Sequence, residues 1–165
     1  MVAGLDSWVS EAIAVAARSP HRRYQTGAIL IGRDGAVITN GWAHPPQGTF
    51  ARYWSMHAEL HALHRAGHHD LRGAGCALAS IARRSGRPAS ARPCWECARL
   101  LRDAGVRYVA YTTKAGVEQL DLNRAEHRLR LYQRPSGGVD IPAAATHPSN
   151  PRLPDHASRR RGKPA

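Results

Sequence analysis

Pro93-Cys94-Trp95-Glu96-Cys97-Ala98-Arg99-Leu100-Leu101-Arg102-Asp103-Ala104-Gly105-Val106-Arg107-Tyr108-Val109-Ala110-Tyr111-Thr112 decides how the rest of the chain is read. The spacing predicts a helix that begins around Cys94, carries Leu100 and Leu101 and stops at Gly105. Val106 to Thr112 is then rich in Val and Tyr with no turn residue inside it, which predicts a strand fed directly by the helix.

Upstream, the same alternation repeats. Cys76 to Ala82 reads as a third strand, and about Trp54 to Ala66 as a second helix with Met56, Leu60 and Leu63 on its apolar face and Gly67 as its stop. Thr26-Gly27-Ala28-Ile29-Leu30-Ile31 and Ala36-Val37-Ile38-Thr39 flank Gly32-Arg33-Asp34-Gly35, a turn that tolerates positive φ, and so predict a β-hairpin. Leu5 to Arg18 opens the chain as an amphipathic helix, with Leu5, Trp8, Val9, Ala12, Ile13 and Ala16 at helical spacing, Asp6 or Ser7 available as a cap and Ser19-Pro20 as a stop. Alternating helices and strands indicate an α/β sandwich. Val117 to Gln133 carries two signals: Leu129 and Leu131 alternate like a strand, while Asn123 and Glu126 resemble a capping box. From Arg134 onward, prolines, Ser136-Gly137-Gly138 and the Arg159-Arg160-Arg161-Gly162-Lys163 cluster leave little to pack, so residues 1–133 are expected to form the folded domain and 134–165 a disordered tail.

A chain of 165 residues is the size of one domain with one core. No apolar run approaches the roughly 20 residues of a membrane span, and the N-terminus lacks the blocks of a signal peptide, so a cytoplasmic protein is expected. The three cysteines cannot all pair, and Cys94 and Cys97 are spaced like a metal or redox site rather than a disulfide framework. A formal charge of +12 implies attraction to anions such as nucleotides or nucleic acid, although much of the excess is arginine in a chain also rich in alanine and glycine, a composition that arises without any binding partner.

Two short motifs carry chemistry: His57-Ala58-Glu59 at the start of the second helix and Pro93-Cys94-Trp95-Glu96-Cys97 at the start of the third. Neither is specific alone. Together, His57, Cys94 and Cys97 provide one imidazole and two thiolates, a set that suits Zn²⁺ and leaves the fourth tetrahedral position open for water. Cysteines in a helix's first turn meet its free N–H groups and positive dipole end, which favour the thiolate. Glu59, two residues from His57, projects in another direction and suits a proton carrier beside that water.

This arrangement resembles the cytidine deaminase superfamily, whose zinc signature is His-x-Glu with Pro-Cys-x-x-Cys. The resemblance covers roughly residues 5 to 113. Thr26-Gly27-Ala28-Ile29-Leu30-Ile31 looks like the family's first strand, Gly41-Trp42 with Pro46 and Gly48 looks like the deoxycytidylate deaminase loop, and Cys97-Ala98-Arg99-Leu100-Leu101 through Ala104-Gly105-Val106 is similar as well. It implies a three-layer α/β/α sandwich around a mixed five-stranded sheet, with the fifth strand drawn from Val117 to Gln133. It also implies zinc-dependent hydrolytic deamination of a cytosine nucleoside or nucleotide, Glu59 as catalytic residue, substrate contacts including Thr26 and Ala58, and a homo-oligomer.

The chain departs from the pattern at one telling place. Relatives such as the deoxycytidylate and tRNA adenosine deaminases carry a substrate-contacting asparagine after the Gly-aromatic pair, where this chain has Ala43; His44 or Asn40 are the candidates to replace it. Arg83, Arg84, Arg87 and Arg92 fall in the connection leading to the zinc cysteines, and an arginine fork there, Arg92 above all, suits a substrate phosphate. Trp42, Trp54 and Trp95 offer stacking surfaces or core packing. A His57–His61 metal pair is the weaker reading, since His-Ala-Glu-Leu-His is not the zincin His-Glu-x-x-His and leaves both cysteines idle. Two further functions stay open: deamination of cytosine or adenine within single-stranded DNA or RNA, and a non-catalytic, basic, zinc-containing nucleic-acid-binding module.

Overall fold

The computed structural model describes residues 4, 6–45 and 55–124. The expected tail, Trp54 and the Pro46 and Gly48 positions lie outside these residues. The chain runs α1 (Ser7–Ala16), β1 (Tyr24–Ile31), β2 (Val37–Trp42), α2 (Ala58–Ala66), β3 (Gly75–Ala82), β4 (Pro88–Ala89), α3 (Trp95–Asp103), β5 (Tyr108–Thr113) and β6 (Gly116–Asp121). The main path of the sheet is β2-β1-β3-β5-β6. Only β3 and β5 run parallel, joined through α3; every other neighbouring pair is antiparallel. The sheet is therefore mixed with five strands along its path, and the two-residue β4 is an addition pairing with the end of β3.

Alternation along the strands assigns side chains to two layers. On one face Ala28, Leu30, Cys76, Leu78, Val109 and Tyr111 pack with Ala58, Ala62, Ala98 and Leu101 of α2 and α3. On the other, Ile29, Ile31, Ala77, Ala79 and Ala110 pack with Val9 and Ala12 of α1. Two glycines in the β1/β2 hairpin let both helices lie directly on the sheet. A Cβ at Gly27 would strike the α1 backbone, 2.5 Å from the Ala12 carbonyl oxygen, and a Cβ at Gly41 would strike α2, 2.5 Å from the Ala58 carbonyl oxygen.

Two sequence expectations are corrected. The second helix starts at Ala58 rather than Trp54, because Met56 exchanges backbone hydrogen bonds with His44 (2.8 and 3.1 Å) and holds the chain extended up to His57. Asp6 does not cap α1; its carboxylate accepts instead from the Gln119 amide at 2.8 Å, tying the helix to β6. The fifth strand, Gly116–Asp121, comes from the start of the stretch from Val117 to Gln133, as expected, while Leu129 and Leu131 lie outside the described residues. Gly67 does end α2, with φ 57°.

Candidate functional site

The parallel pair β3/β5 keeps its ladder from Gly75↔Tyr108 to Leu78↔Tyr111, after which β4 takes over the edge of β3 at Ser80 and Ile81. Thr112 bridges the divergence. Its hydroxyl accepts from the Ser80 N–H (3.0 Å) and donates to the Ala89 carbonyl (2.7 Å), and its own carbonyl accepts from the Ala91 N–H (2.9 Å). This fastens the Ser90-Ala91-Arg92-Pro93 segment at the carboxyl end of the parallel strands, where open α/β sheets form their crevices.

Two helix N-termini converge there. His57 is the N-cap of α2 and Cys94 the N-cap of α3, both with extended backbone, so each side chain leaves its helix at the positive end of the dipole. His57 Nδ1 lies 3.3 Å from Cys97 Sγ and 3.7 Å from Cys94 Sγ, and the three donor atoms all fall within 4.8 Å of one another. Zinc–nitrogen bonds of about 2.0–2.1 Å and zinc–sulfur bonds of about 2.3 Å at tetrahedral angles require N···S separations near 3.5 Å, so this donor set fits the ion through Nδ1 of the histidine. His61 takes no part: its Nδ1 sits 3.2 Å from the Trp42 carbonyl oxygen, and its ring packs edge-on against Trp42 and His44.

The electrostatics suit metal capture. A hydrogen bond from the Cys97 thiol holds Cys94 down to about 4, with further help from the His57 ring and the Cys97 N–H. That shared proton, together with burial, pushes Cys97 up. Hydrogen bonding to Cys94 raises His57 above its ordinary value. Glu59 is only 6 % exposed, and burial raises its carboxyl above the usual range, against the pull of the His57 charge.

A cavity of about 260 Å³ opens onto this cluster, lined by His21, Tyr24, Thr26, Ala43, Ser55, His57, Ala58, Glu59, Ser90, Ala91, Arg92 and Cys94. Thr26, Ala58 and Arg92 are therefore at its wall. Asn40 is not: in the ladder it pairs with Ile29, whose side chain lies on the α1 face, and its buried Oδ1 has no hydrogen-bond partner among the described residues. His44 is also absent from the wall, its ring stacked near His61 with Nδ1 2.9 Å from the Pro45 carbonyl. Trp42 packs under Arg18 at 3.8 Å, whereas Trp95 is 40 % exposed. Ala43 presents its methyl where the expected asparagine would stand.

Sequence reasoning passed over His21, Tyr24, Ser55 and Ser90. His21 Nε2 and Ser55 Oγ are hydrogen-bonded at 2.8 Å across 34 residues of sequence, and burial lowers the imidazole's affinity for a proton. Only the proximity of Ser55 to the His57 motif offered any signal.

The family model described as "Cytidine and deoxycytidylate deaminase zinc-binding region" matches residues 4–113. Among solved structures, the dCMP deaminase of the cyanophage S-TIM5 in apo form is 21% identical with a TM-score of 0.55, covering 76% of this chain and 90% of that one. A cytidine deaminase from Burkholderia pseudomallei is 20% identical with a TM-score of 0.56, covering 72% of this chain and 92% of that one. The phage enzyme in complex with dCMP and dUMP is similar at a TM-score of 0.51 and 21% identity, covering 64% of this chain and 77% of that one. These likenesses establish the fold. No curated protein matches the chain. Among the described residues no helix is long and apolar enough to cross a membrane.

Proposed function

The chain belongs to the cytidine and deoxycytidylate deaminase family defined by that zinc-binding region, and from this premise we propose that it hydrolyses the exocyclic amine of a cytosine nucleoside or nucleotide, with His57, Cys94 and Cys97 as zinc ligands and Glu59 as proton carrier. The observation that carries this reading is a buried carboxyl at the wall of a cavity that also exposes His57 and Cys94, two members of a three-donor metal set.

Zinc, when bound, acts as a Lewis acid that lowers the pKa of a coordinated water towards neutrality. Glu59 takes the proton of the attacking water and passes it to the ring nitrogen next to the amine-bearing carbon. Once that carbon carries the oxygen, Glu59 takes the oxygen's remaining proton and hands it to the amine, so that the C–N bond breaks as the C=O bond forms, ammonia departs and a uracil is left. A carboxyl whose burial lifts it above its ordinary range serves both directions of this shuttle better than an exposed one, since general acid–base work is most efficient near the operating pH. Thr26, Ala58, Ser90 and Ala91 form walls that hold a flat ring, and the His21–Ser55 pair offers polar groups to the sugar.

Arg92 favours a nucleotide over a nucleoside. It lines the cavity, and no hydrogen bond or ion pair engages its side chain among the described residues, leaving a guanidinium fork for phosphate. The test is a substrate panel of cytidine, deoxycytidine and deoxycytidylate, followed by ultraviolet absorbance with zinc-loaded wild type and Glu59→Ala. Turnover of at least one by wild type and its loss in Glu59→Ala is expected. No turnover of any of them ends the cytosine reading, and equal turnover in both proteins removes Glu59 as the proton carrier.

A further inference from the structure

Two segments that border the cavity are rich in arginine and contain no carboxylate: Arg18-Ser19-Pro20-His21-Arg22-Arg23-Tyr24, leading into β1, and Ala82 through Pro93, leading out of β3. They are neighbours in space. Tyr24 pairs with Ala82 in the sheet, the Arg83 N–H donates to the Arg23 carbonyl at 3.1 Å, and the Arg83 guanidinium reaches the carbonyls of Pro20 (3.5 Å) and His21 (3.3 Å). Arg83 thus acts as a brace, spent on backbone. Among the described residues no ion pair engages Arg22, Arg23, Arg84, Arg87 or Arg92; the ion pairs that do form, Arg72–Asp70, Arg99–Asp103 and Arg102–Asp103, lie on other segments. Of these five, Arg23 alone has a cation–π partner among the described residues, the Tyr24 ring at 5.5 Å.

The cavity and this ridge divide a ligand between them. About 260 Å³ is at the small end for a ligand pocket and suits a base with its sugar. Charge of the opposite sign has to lie outside it, along the ridge. One phosphate would satisfy Arg92 and leave the remaining guanidiniums unmatched. Tyr24, on the cavity wall and 47 % exposed, adds an aromatic face beside Arg23, and Trp95, the residue after the cavity-lining Cys94, is 40 % exposed. A positive track interleaved with exposed aromatic rings matches the backbone and bases of an unpaired strand.

We propose that the ridge formed by Arg22, Arg23, Arg84 and Arg87 is a docking surface for single-stranded nucleic acid, which delivers one base of the strand to the cavity. The part played by that base rests on the deaminase reading; the surface itself does not. Binding of a labelled oligodeoxycytidine to the zinc-loaded full chain, read by fluorescence anisotropy across a salt series, tests it beside turnover of the oligomer and of deoxycytidylate. Four guanidiniums neutralising about 0.7 charge each predict a log–log salt slope between about −2 and −3, a loss of roughly 50-fold between about 50 and 200 mM salt. The double variant Arg84→Ser/Arg87→Ser, neither residue at the cavity wall, should flatten that slope by about 1.4 and leave deoxycytidylate turnover unchanged. An oligomer bound no more tightly than deoxycytidylate at low salt overturns the proposal, and so does a slope unmoved by the double variant. Salt-dependent oligomer binding with no turnover of any cytosine substrate upholds the surface and removes the deaminase reading instead.

Discussion

At the scale of single residues, Glu59 and the three metal donors make distinct demands on protons. Because burial raises the Glu59 carboxyl in the folded state, unfolding favours its ionisation. The destabilisation is absent below the ordinary carboxylate pKa, grows as pH rises above it, and levels off past the raised value. Apo Glu59→Gln should therefore melt higher than apo wild type near pH 7, with the gap closing near pH 4; a gap independent of pH would show that the carboxyl is not held neutral. The same variant, loaded with zinc, should lose about 10²–10⁴-fold in turnover while keeping its metal. Zinc uptake should release about one to two protons near pH 7, from Cys97 and partly from His57 but not from Cys94, which is already a thiolate above about 4. Since His57 is raised, metal affinity should weaken as pH falls through its titration, a trend that competition with a chromophoric chelator would follow. Arg92→Ala should raise KM for deoxycytidylate and leave deoxycytidine unaffected. His57, Glu59, Cys94 and Cys97 were legible as a group because their spacing encodes one ligand set. Asn40's place away from the cavity wall was not legible, because β-strand alternation, visible only with the register to Ile29, turns it to the α1 face.

The secondary-structure elements owe their positions to a few contacts that leave no pattern in sequence. Helices and strands were readable wherever apolar period and a stop residue coincided, as in α3 ending before Gly105 and α2 ending at Gly67. The start of α2 was not, since a long-range backbone exchange between His44 and Met56 overrides the helical spacing of Met56 with Leu60 and Leu63. Thr112 shows the same limit: a strand threonine by propensity, it supplies the bonds that hold β3, β4 and β5 together where their ladder ends. Thr112→Val, nearly the same shape without the hydroxyl, should cost about 1–3 kcal/mol by urea denaturation, because it strands the buried Ser80 N–H. Gly27→Ala and Gly41→Ala should each cost at least about 1–3 kcal/mol with m unchanged, as a Cβ drives α1 or α2 off the sheet. Gly41→Ala should also weaken zinc binding, because α2 carries His57.

Taken as a whole, the molecule places its metal set where two helices and the ends of two strands meet, so the ion would tie α2 to α3 across the sheet face. Removing zinc with a chelator should lower the melting temperature, and free zinc at about one hundred times its dissociation constant should restore about 2.7 kcal/mol. A melting curve insensitive to zinc would place the metal elsewhere. The arginines before the zinc cysteines were legible in sequence, but their meeting with Arg22 and Arg23 was not, because 18–24 and 82–93 are far apart in sequence and are joined through the pairing of β1 with β3. The hairpin glycines have one more consequence. With no side chain between Gly41 and the α2 backbone, main-chain atoms meet directly there and fix how closely the helix that begins after His57 approaches strand β2. The approach of the helix end that carries the candidate site is thus gauged at Gly41 by backbone against backbone, like an instrument whose reference length is cut into its frame.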